Sequence, residues 1–138
     1  ATSQEGVLRV VGSSSHIVGP FVGYPILEAP VQDTLTGALT LSWTYASGQA
    51  AEYTQLKVST AQYAPAFWTL IVGRGVNQAT LPDLNLLAGV QGLGSGPRTV
   101  EVQRVRNGLF DIDDYTAREF SIYRREGWSR DQLDFYAP

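Results

Sequence analysis

Apolar and polar residues alternate most regularly over residues 38–45, "ALTLSWTY". Leu39, Leu41, Trp43 and Tyr45 occupy every second position, with small or hydroxylated residues between them. A period of two, with β-branched and aromatic residues, predicts a β-strand that turns one face to a core. We therefore expect Trp43 to lie in the core.

Further strands are predicted along the rest of the chain, at residues 52–60, 67–73, 98–106 and 118–124, with a short one over "NQATLPD" that Pro82 ends. Residues 67–73, "FWTLIVG", are apolar on both faces. Such a strand is typical of a sheet covered on both sides, so we expect Trp68 in the core as well.

Two segments give weaker patterns. In residues 98–106, Val100 and Val102 share a face while Val105 falls on the other, which predicts a bulge or a strand end. Residues 129–135, "SRDQLDF", resemble a helical capping box but are short for a helix. The N-terminal "GVLRVV" is predicted as a strand that pairs with part of "HIVGPFVGYPIL".

The spacing of these segments predicts the fold class. Seven or eight short strands are separated by Gly, Pro, Asn and Asp, and no long amphipathic helix is present. This spacing is typical of an all-β sandwich. We expect one such domain over residues 1–138, with short extensions at both ends.

Residues 27–123 resemble a fibronectin type III-like module, a relative of the immunoglobulin-like sandwich. The resemblance rests on "APVQDTLTGALTLSWTY", on "AEYTQLKVST" led by Tyr53, and on "NQATLPDL" followed by "GPRTVEVQRVRNG". It places Trp43 at the family's core tryptophan. Where the family has a tyrosine opening its sixth strand, this chain has Arg98 and Thr99, so that corner must be fixed differently.

The resemblance implies a non-enzymatic module, because the family has no catalytic residues to carry over. Such modules recur as spacers or binding platforms in exported bacterial lipoproteins and surface proteins. It therefore implies an exported protein, periplasmic or on the outer surface, with a lipid anchor in the full-length protein as an open alternative. Its partner would be a protein or a surface polysaccharide.

The composition of the chain argues against several classes of function. The net charge of -3 offers nucleic acid no general attraction. No apolar run reaches the roughly 18 residues of a membrane helix. The chain has no cysteine, which excludes disulfides and thiolate metal sites; this fits an exported protein that avoids oxidation, but it fits many cytosolic proteins too. Because it has no methionine either, we expect a processed mature protein or a segment of a longer one.

Residues 104–114, "RVRNGLFDIDD", combine a turn signal with three carboxylates. Asn-Gly at 107–108 predicts a two-residue hairpin turn, with the aspartates on a solvated strand and the loop after it. The alternative is a calcium site formed by Asp111, Asp113 and Asp114, because hard cations take several oxygen ligands. Another loop would have to contribute to such a site. No other cofactor is expected.

Three aromatic residues are candidates for ligand binding: Trp128, Tyr136 and Tyr115. Trp128 lies in the polar stretch "REGWSRDQ", where an exposed ring could stack on a sugar. A carbohydrate-binding module is therefore the second hypothesis. The alternative is that Trp128 packs the C-terminal tail onto the sandwich, since large aromatic residues are mostly buried.

The third hypothesis is a small hydrolase around His16, the only histidine, which follows Ser13–Ser15. A catalytic triad needs a base within reach of the nucleophile and an acid that orients the base. Neighbouring residues of a strand point in opposite directions, and the chain has no G-x-S-x-G motif. We rank this hypothesis last and expect no catalytic residues.

Overall fold

The computed structural model of the protein describes residues 4–7, 21–28, 31–32, 39–62, 64–84, 87–90, 92–121 and 124–137. These residues form strands β1 (Gln4–Val7), β2 (Pro25–Leu27), β3 (Val31–Gln32), β4 (Leu39–Tyr45), β5 (Tyr53–Ser59), β6 (Trp68–Gly73), β7 (Gln78–Leu81), β8 (Gly96–Arg106) and β9 (Gly127–Ala137). One 3₁₀ turn, Ala117–Phe120, lies between β8 and β9.

The strands form two antiparallel sheets. The larger sheet has the order β1-β9-β8-β5-β6. In the smaller sheet β2 and β3 follow one another along one side of β4, and β7 pairs with its other side. The prediction of an all-β fold is confirmed, and the arrangement is that of a sandwich.

The core lies between the sheets. The smaller sheet contributes Leu41 and Trp43, and the larger sheet contributes Leu56, Val100 and others to the same buried cluster. Trp43 is 1% exposed, and its indole N–H donates to the Tyr45 hydroxyl at 2.8 Å. The alternating pattern of β4 therefore predicted its buried face correctly.

The pattern of β6 was misleading. Its residues are only half-buried, except for exposed Thr69, because β6 is the last of the described strands in its sheet. Trp68 packs against the core cluster but remains partly exposed. The prediction of a strand covered on both sides is wrong: an apolar run does not show whether a strand is central or at an edge.

Of the two alternatives predicted at Val105, the bulge is absent, whereas a strand end does follow, because β8 ends one residue later at Arg106. Pairing between β5 and β8 runs in unbroken register from Ser59–Thr99 to Tyr53–Val105. Val105 lies on the face of the sheet turned away from the sandwich core, and it is buried there.

The C-terminal third of the chain differs most from the prediction. Residues 118–124, expected as a strand, begin in the 3₁₀ turn, and residues 122–123 lie outside the described part. The tail that resembled a capping box is instead β9, which pairs with β8 along its whole length. At the other end of the chain β1 is described over Gln4–Val7, where it pairs with β9.

Arg98 fixes the turn that leads into β8. Its Nε donates to the carbonyl of Leu93 at 2.7 Å, and its two terminal nitrogens donate to the carbonyls of Ser95 and Pro97 at 2.9 and 2.7 Å. One planar guanidinium thus satisfies three backbone acceptors of the preceding loop.

In the described part of the chain, no helix combines the length and apolar character needed to cross a membrane.

Candidate binding surfaces

Residues 107–126, which we call the cap, connect β8 to β9. The last pair of the β8–β9 ladder is Arg106–Gly127, so the predicted two-residue hairpin at Asn107 and Gly108 is wrong. A turn does begin there, because the amide of Phe110 donates to the Asn107 carbonyl at 2.9 Å. The chain then leaves the ladder.

The cap covers one end of the outer face of the larger sheet. Its aromatic residues pack on Tyr53, whose ring centroid lies 4.4 Å from that of Phe110 and 5.5 Å from that of Phe120. Ile112 lies over Gly73 of β6: its Cγ1 is 3.6 Å from where a β-carbon on Gly73 would be. This second apolar layer explains why Tyr53 and Val105 are buried on the outer face.

Arg125 anchors the end of the cap that returns to the sheet. It is 8% exposed and donates to the side-chain carbonyls of Gln103 and Gln55, at 2.6 and 3.4 Å, and to the backbone carbonyl of Phe120 at 3.3 Å. Neutral amides on the outer face of the sheet therefore hold a buried positive charge.

Burial raises the pKa of the Tyr53 hydroxyl, and the nearby positive charge of Arg125 opposes that rise in part. The negative charge of Glu119 acts in the same direction as burial. The neutral phenol is thus the favoured form beneath the cap.

The three candidate calcium ligands lie on the exposed side of the cap. Asp111, Asp113 and Asp114 are exposed, and Asp111 accepts a hydrogen bond from the Asp113 amide at 2.9 Å. Among the residues that the structure describes, no three acidic or histidine side chains form a group able to hold a metal ion. The side chains of the two arginines before the turn have other partners than these aspartates. Arg104 donates a hydrogen bond to the carbonyl of Gly23, and Arg106 forms an ion pair with Glu126 at 3.2 Å.

The three candidate ligand-binding aromatics lie in two different settings. Tyr115 belongs to the cap, where it packs against Phe110 and Phe120 at 5.8 and 5.1 Å between ring centroids. Trp128 and Tyr136 both lie on the outer face of β9. They are eight residues apart, which is about 26 Å along a strand, so they cannot stack on one sugar ring.

Trp128 is partly exposed and follows the cap on β9. The Arg130 guanidinium carbon lies 5.9 Å from the centroid of its ring, a cation–π distance. Tyr136 is 74% exposed at the far end of the same strand, opposite Pro97.

The outer face beyond the cap is an open polar surface, which we call the basin. It encloses about 350 Å³ and is lined by Lys57, Ser59, Gln62, Ala64, Ala66, Thr99, Glu101, Arg130 and Gln132. Glu101 lies at its centre, 3.6 Å from the Lys57 ammonium and 2.8 Å from Arg130. Each of these pairs contributes little stability because it is partly solvated, but together they fix the carboxylate in place.

The third surface lies at the edge of the sandwich, between β6 and β7. An apolar groove of about 410 Å³ runs there, lined by Phe67, Trp68, Thr69, Leu70, Leu81, Pro82 and Leu84. In the described part of the chain β6 pairs with β5 alone. Edge strands are usually protected by charged residues or proline, whereas β6 contains neither.

Sequence reasoning missed both open surfaces. The basin draws its residues from β5, β8, β9 and the loop after β5, so no contiguous motif marks it. The uncharged sequence of β6 was visible, but it was interpreted as a sign of burial. The segment around His16 lies outside the described residues, so the structure does not test the hydrolase hypothesis built on it.

No protein-family model and no curated protein matches the sequence. The arrangement of the described side chains is therefore the basis for any functional inference.

Proposed function

We propose that the chain is a non-enzymatic binding module of an exported bacterial protein, built on a fibronectin type III-like sandwich. The observation that carries the proposal is the uncharged edge of β6 beside an apolar groove. We further propose that this edge binds an extended segment of a partner protein.

Strand order supports the fold assignment. In immunoglobulin-like sandwiches the first, second and fifth strands share one sheet, and the third, sixth and seventh share the other. With β2 and β3 as an interrupted first strand, β4 and β7 take the second and fifth positions, and β5, β8 and β9 take the rest. Here β6 pairs with β5 of the larger sheet.

Arg98 takes the place of the tyrosine that the family has at the start of its sixth strand. In immunoglobulin-like domains a tyrosine at the start of the sixth strand bonds to the backbone a few residues upstream. Arg98 occupies that part of β8, and it bonds to carbonyls one, three and five residues upstream. The same corner is thus tied by a different side chain.

Strand addition at β6 would use two kinds of interaction. Backbone groups of an edge strand that point away from the sheet offer hydrogen bonds to any extended segment. The groove between β6 and β7 would then receive every second side chain of that segment, because side chains alternate along a strand. Since both strand and groove are uncharged, the expected partner is an uncharged segment rich in β-branched or aromatic residues.

A displayed library of random peptides tests the proposal. Wild-type protein should select extended apolar peptides, and these should protect β6 amides from hydrogen exchange. Thr69→Lys, which charges the edge, and Leu84→Asp, which charges the groove, should each abolish the selection. Thr44→Lys makes the same substitution as Thr69→Lys at an exposed position of the interior strand β4 and should leave it intact. Peptides that protect another surface, or that still bind both the Thr69→Lys and the Leu84→Asp variants, would contradict binding at β6.

Carbohydrate binding is the second candidate function, and the basin favours it. A carboxylate held between two cations, beside the amides of Gln62 and Gln132, presents fixed donors and acceptors of the kind that sugar hydroxyls need. Trp128 lies next to Arg130 on the same face of β9 and offers an aromatic surface.

A glycan array separates the two candidates. Binding that is lost in both Gln132→Ala and Trp128→Phe, but kept in Leu84→Asp, would assign sugar recognition to the basin. An array without signal for wild-type protein would exclude this second candidate while leaving the edge proposal in place.

A further inference from the structure

Three buried polar side-chain atoms beneath the cap make no hydrogen bond of normal geometry within the part of the chain that the structure describes: Tyr53 Oη, Glu119 Oε2 and Arg125 Nε. Each atom is closed off from bulk solvent. They belong to three separate parts of the chain. Tyr53 lies in strand β5, Glu119 lies in the 3₁₀ turn of the cap, and Arg125 lies two residues before the start of β9.

The surrounding contacts bring these three side chains together. Phe120, the neighbour of Glu119, packs edge-on against the Tyr53 ring at 5.5 Å and accepts a hydrogen bond from Arg125 through its carbonyl. Arg125 also bonds to Gln55, two residues from Tyr53 on the same face of β5. Consistent with this proximity, the charges of both Arg125 and Glu119 act on the Tyr53 hydroxyl.

The chemistry of the three atoms restricts what can lie between them. The Nε–H of arginine only donates, a carboxylate oxygen only accepts, and a phenol hydroxyl does both. An anion would be repelled by Glu119 and a cation by Arg125. An apolar group would leave all three atoms without hydrogen bonds, although buried polar groups are almost always paired. A group that fits between these atoms must be small and neutral, and it must both donate and accept hydrogen bonds.

We propose that one water molecule lies between Tyr53, Glu119 and Arg125 and forms hydrogen bonds with all three. A buried water typically makes about three such bonds to otherwise unpaired groups. This water cross-links the sheet, through Tyr53, to the 3₁₀ turn of the cap and to the end of the cap that returns to the sheet. Because the cap closes the site, the water exchanges with solvent only when the cap opens. The proposal is independent of the partner that the module binds.

Water–protein cross-relaxation in NMR spectra tests the proposal. Wild-type protein should show a long-lived water near the Tyr53 ring. Tyr53→Phe, which keeps the ring and removes the hydroxyl, should shorten the residence time of that water and raise amide exchange in the cap about tenfold, since one of three bonds to the water is gone. Tyr115→Phe makes the same change on the exposed side of the cap and should alter neither measurement.

A crystal structure of the wild-type protein gives a second test that does not depend on a variant folding. Ordered solvent within hydrogen-bonding distance of all three atoms is the expected result. Direct hydrogen bonds of Glu119 to Tyr53 or Arg125, with no solvent between them, would overturn the proposal. An unchanged residence time of that water in folded Tyr53→Phe would also overturn it.

Discussion

Tyr53 and Val105 face each other across strands β5 and β8, and both are buried although they lie on the outer face of the sheet. The cap buries them, because its described residues, 107–121 and 124–126, fold back over this end of the sheet instead of forming a tight hairpin. The sandwich therefore has two apolar layers on one sheet. Part of the outer face that the cap leaves uncovered forms the basin.

Removal of an aromatic ring from the cap should expose this second layer. Phe110→Ala deletes the ring that packs 4.4 Å from Tyr53. We expect a loss of about 2 kcal/mol in the free energy of unfolding, below the cost for a fully buried phenylalanine because Phe110 is partly exposed. Urea denaturation measures the loss. Leu109→Ala, at the 72% exposed neighbouring position, should change stability by less than about 0.5 kcal/mol. Equal effects at the two positions would contradict the packing of the cap.

Asp131 joins the two sheets through a single buried bond. Its Oδ2 accepts a hydrogen bond from the backbone amide of Leu27 at 2.9 Å, and the residue is 1% exposed. Asp131→Ala leaves that amide buried without an acceptor, which should cost about 2 kcal/mol. Hydrogen exchange at Leu27 and urea denaturation measure the effect. Asp114→Ala, at an exposed position of the cap, should cost far less, and a comparable loss there would show that the Leu27 bond is unimportant.

Stability should fall at high pH in a way that depends on Tyr53. Burial raises its pKa in the folded protein above the unfolded value of about 10. The folded state therefore holds this proton more tightly, so its contribution is fully present below about pH 10 and is lost as the pH rises through the folded pKa. Urea denaturation between about pH 8 and 11 should show a smaller decline for Tyr53→Phe than for wild type. Tyr136→Phe, at a 74% exposed position, should behave like wild type, and identical slopes for all three proteins would contradict the prediction.

Fluorescence quenching by iodide should distinguish the tryptophans. Trp43 is 1% exposed and should be shielded, whereas Trp128 is partly exposed on β9 and should be quenched. Trp128→Phe should therefore lower the quenchable fraction of the emission. An unchanged fraction would place Trp128 beneath other groups and weaken the carbohydrate hypothesis.

Removal of calcium should have no effect on stability. Asp111, Asp113 and Asp114 are exposed and do not form a metal-binding group within the described residues. We expect EGTA to change the thermal midpoint by less than about 1 °C, since a ligand that binds only the folded state would raise that midpoint. A larger fall on chelation, abolished by Asp111→Asn, would restore the calcium hypothesis.

Period-two patterns predicted the parts of the fold in which one face of a strand meets the core. The sequence of β4 was sufficient to place Trp43, because its apolar residues alternate with polar ones and only one face can be buried. The pattern of β6 was not sufficient, since an apolar run has the same appearance in a central strand and at an edge that borders a groove. For the same reason the open groove was not foreseen.

By itself the sequence determined an all-β chain with a tryptophan in its core and with strands near 39–45, 53–59, 68–73 and 96–106. Only the tertiary structure decided what covers each face. Val105 looked like an error in the pattern of β8 because the cap that buries it comes from residues beyond that strand. The basin likewise joins side chains from β5, β8 and β9. Local periodicity records the conformation of a segment, whereas burial and binding surfaces depend on which distant segment packs against it.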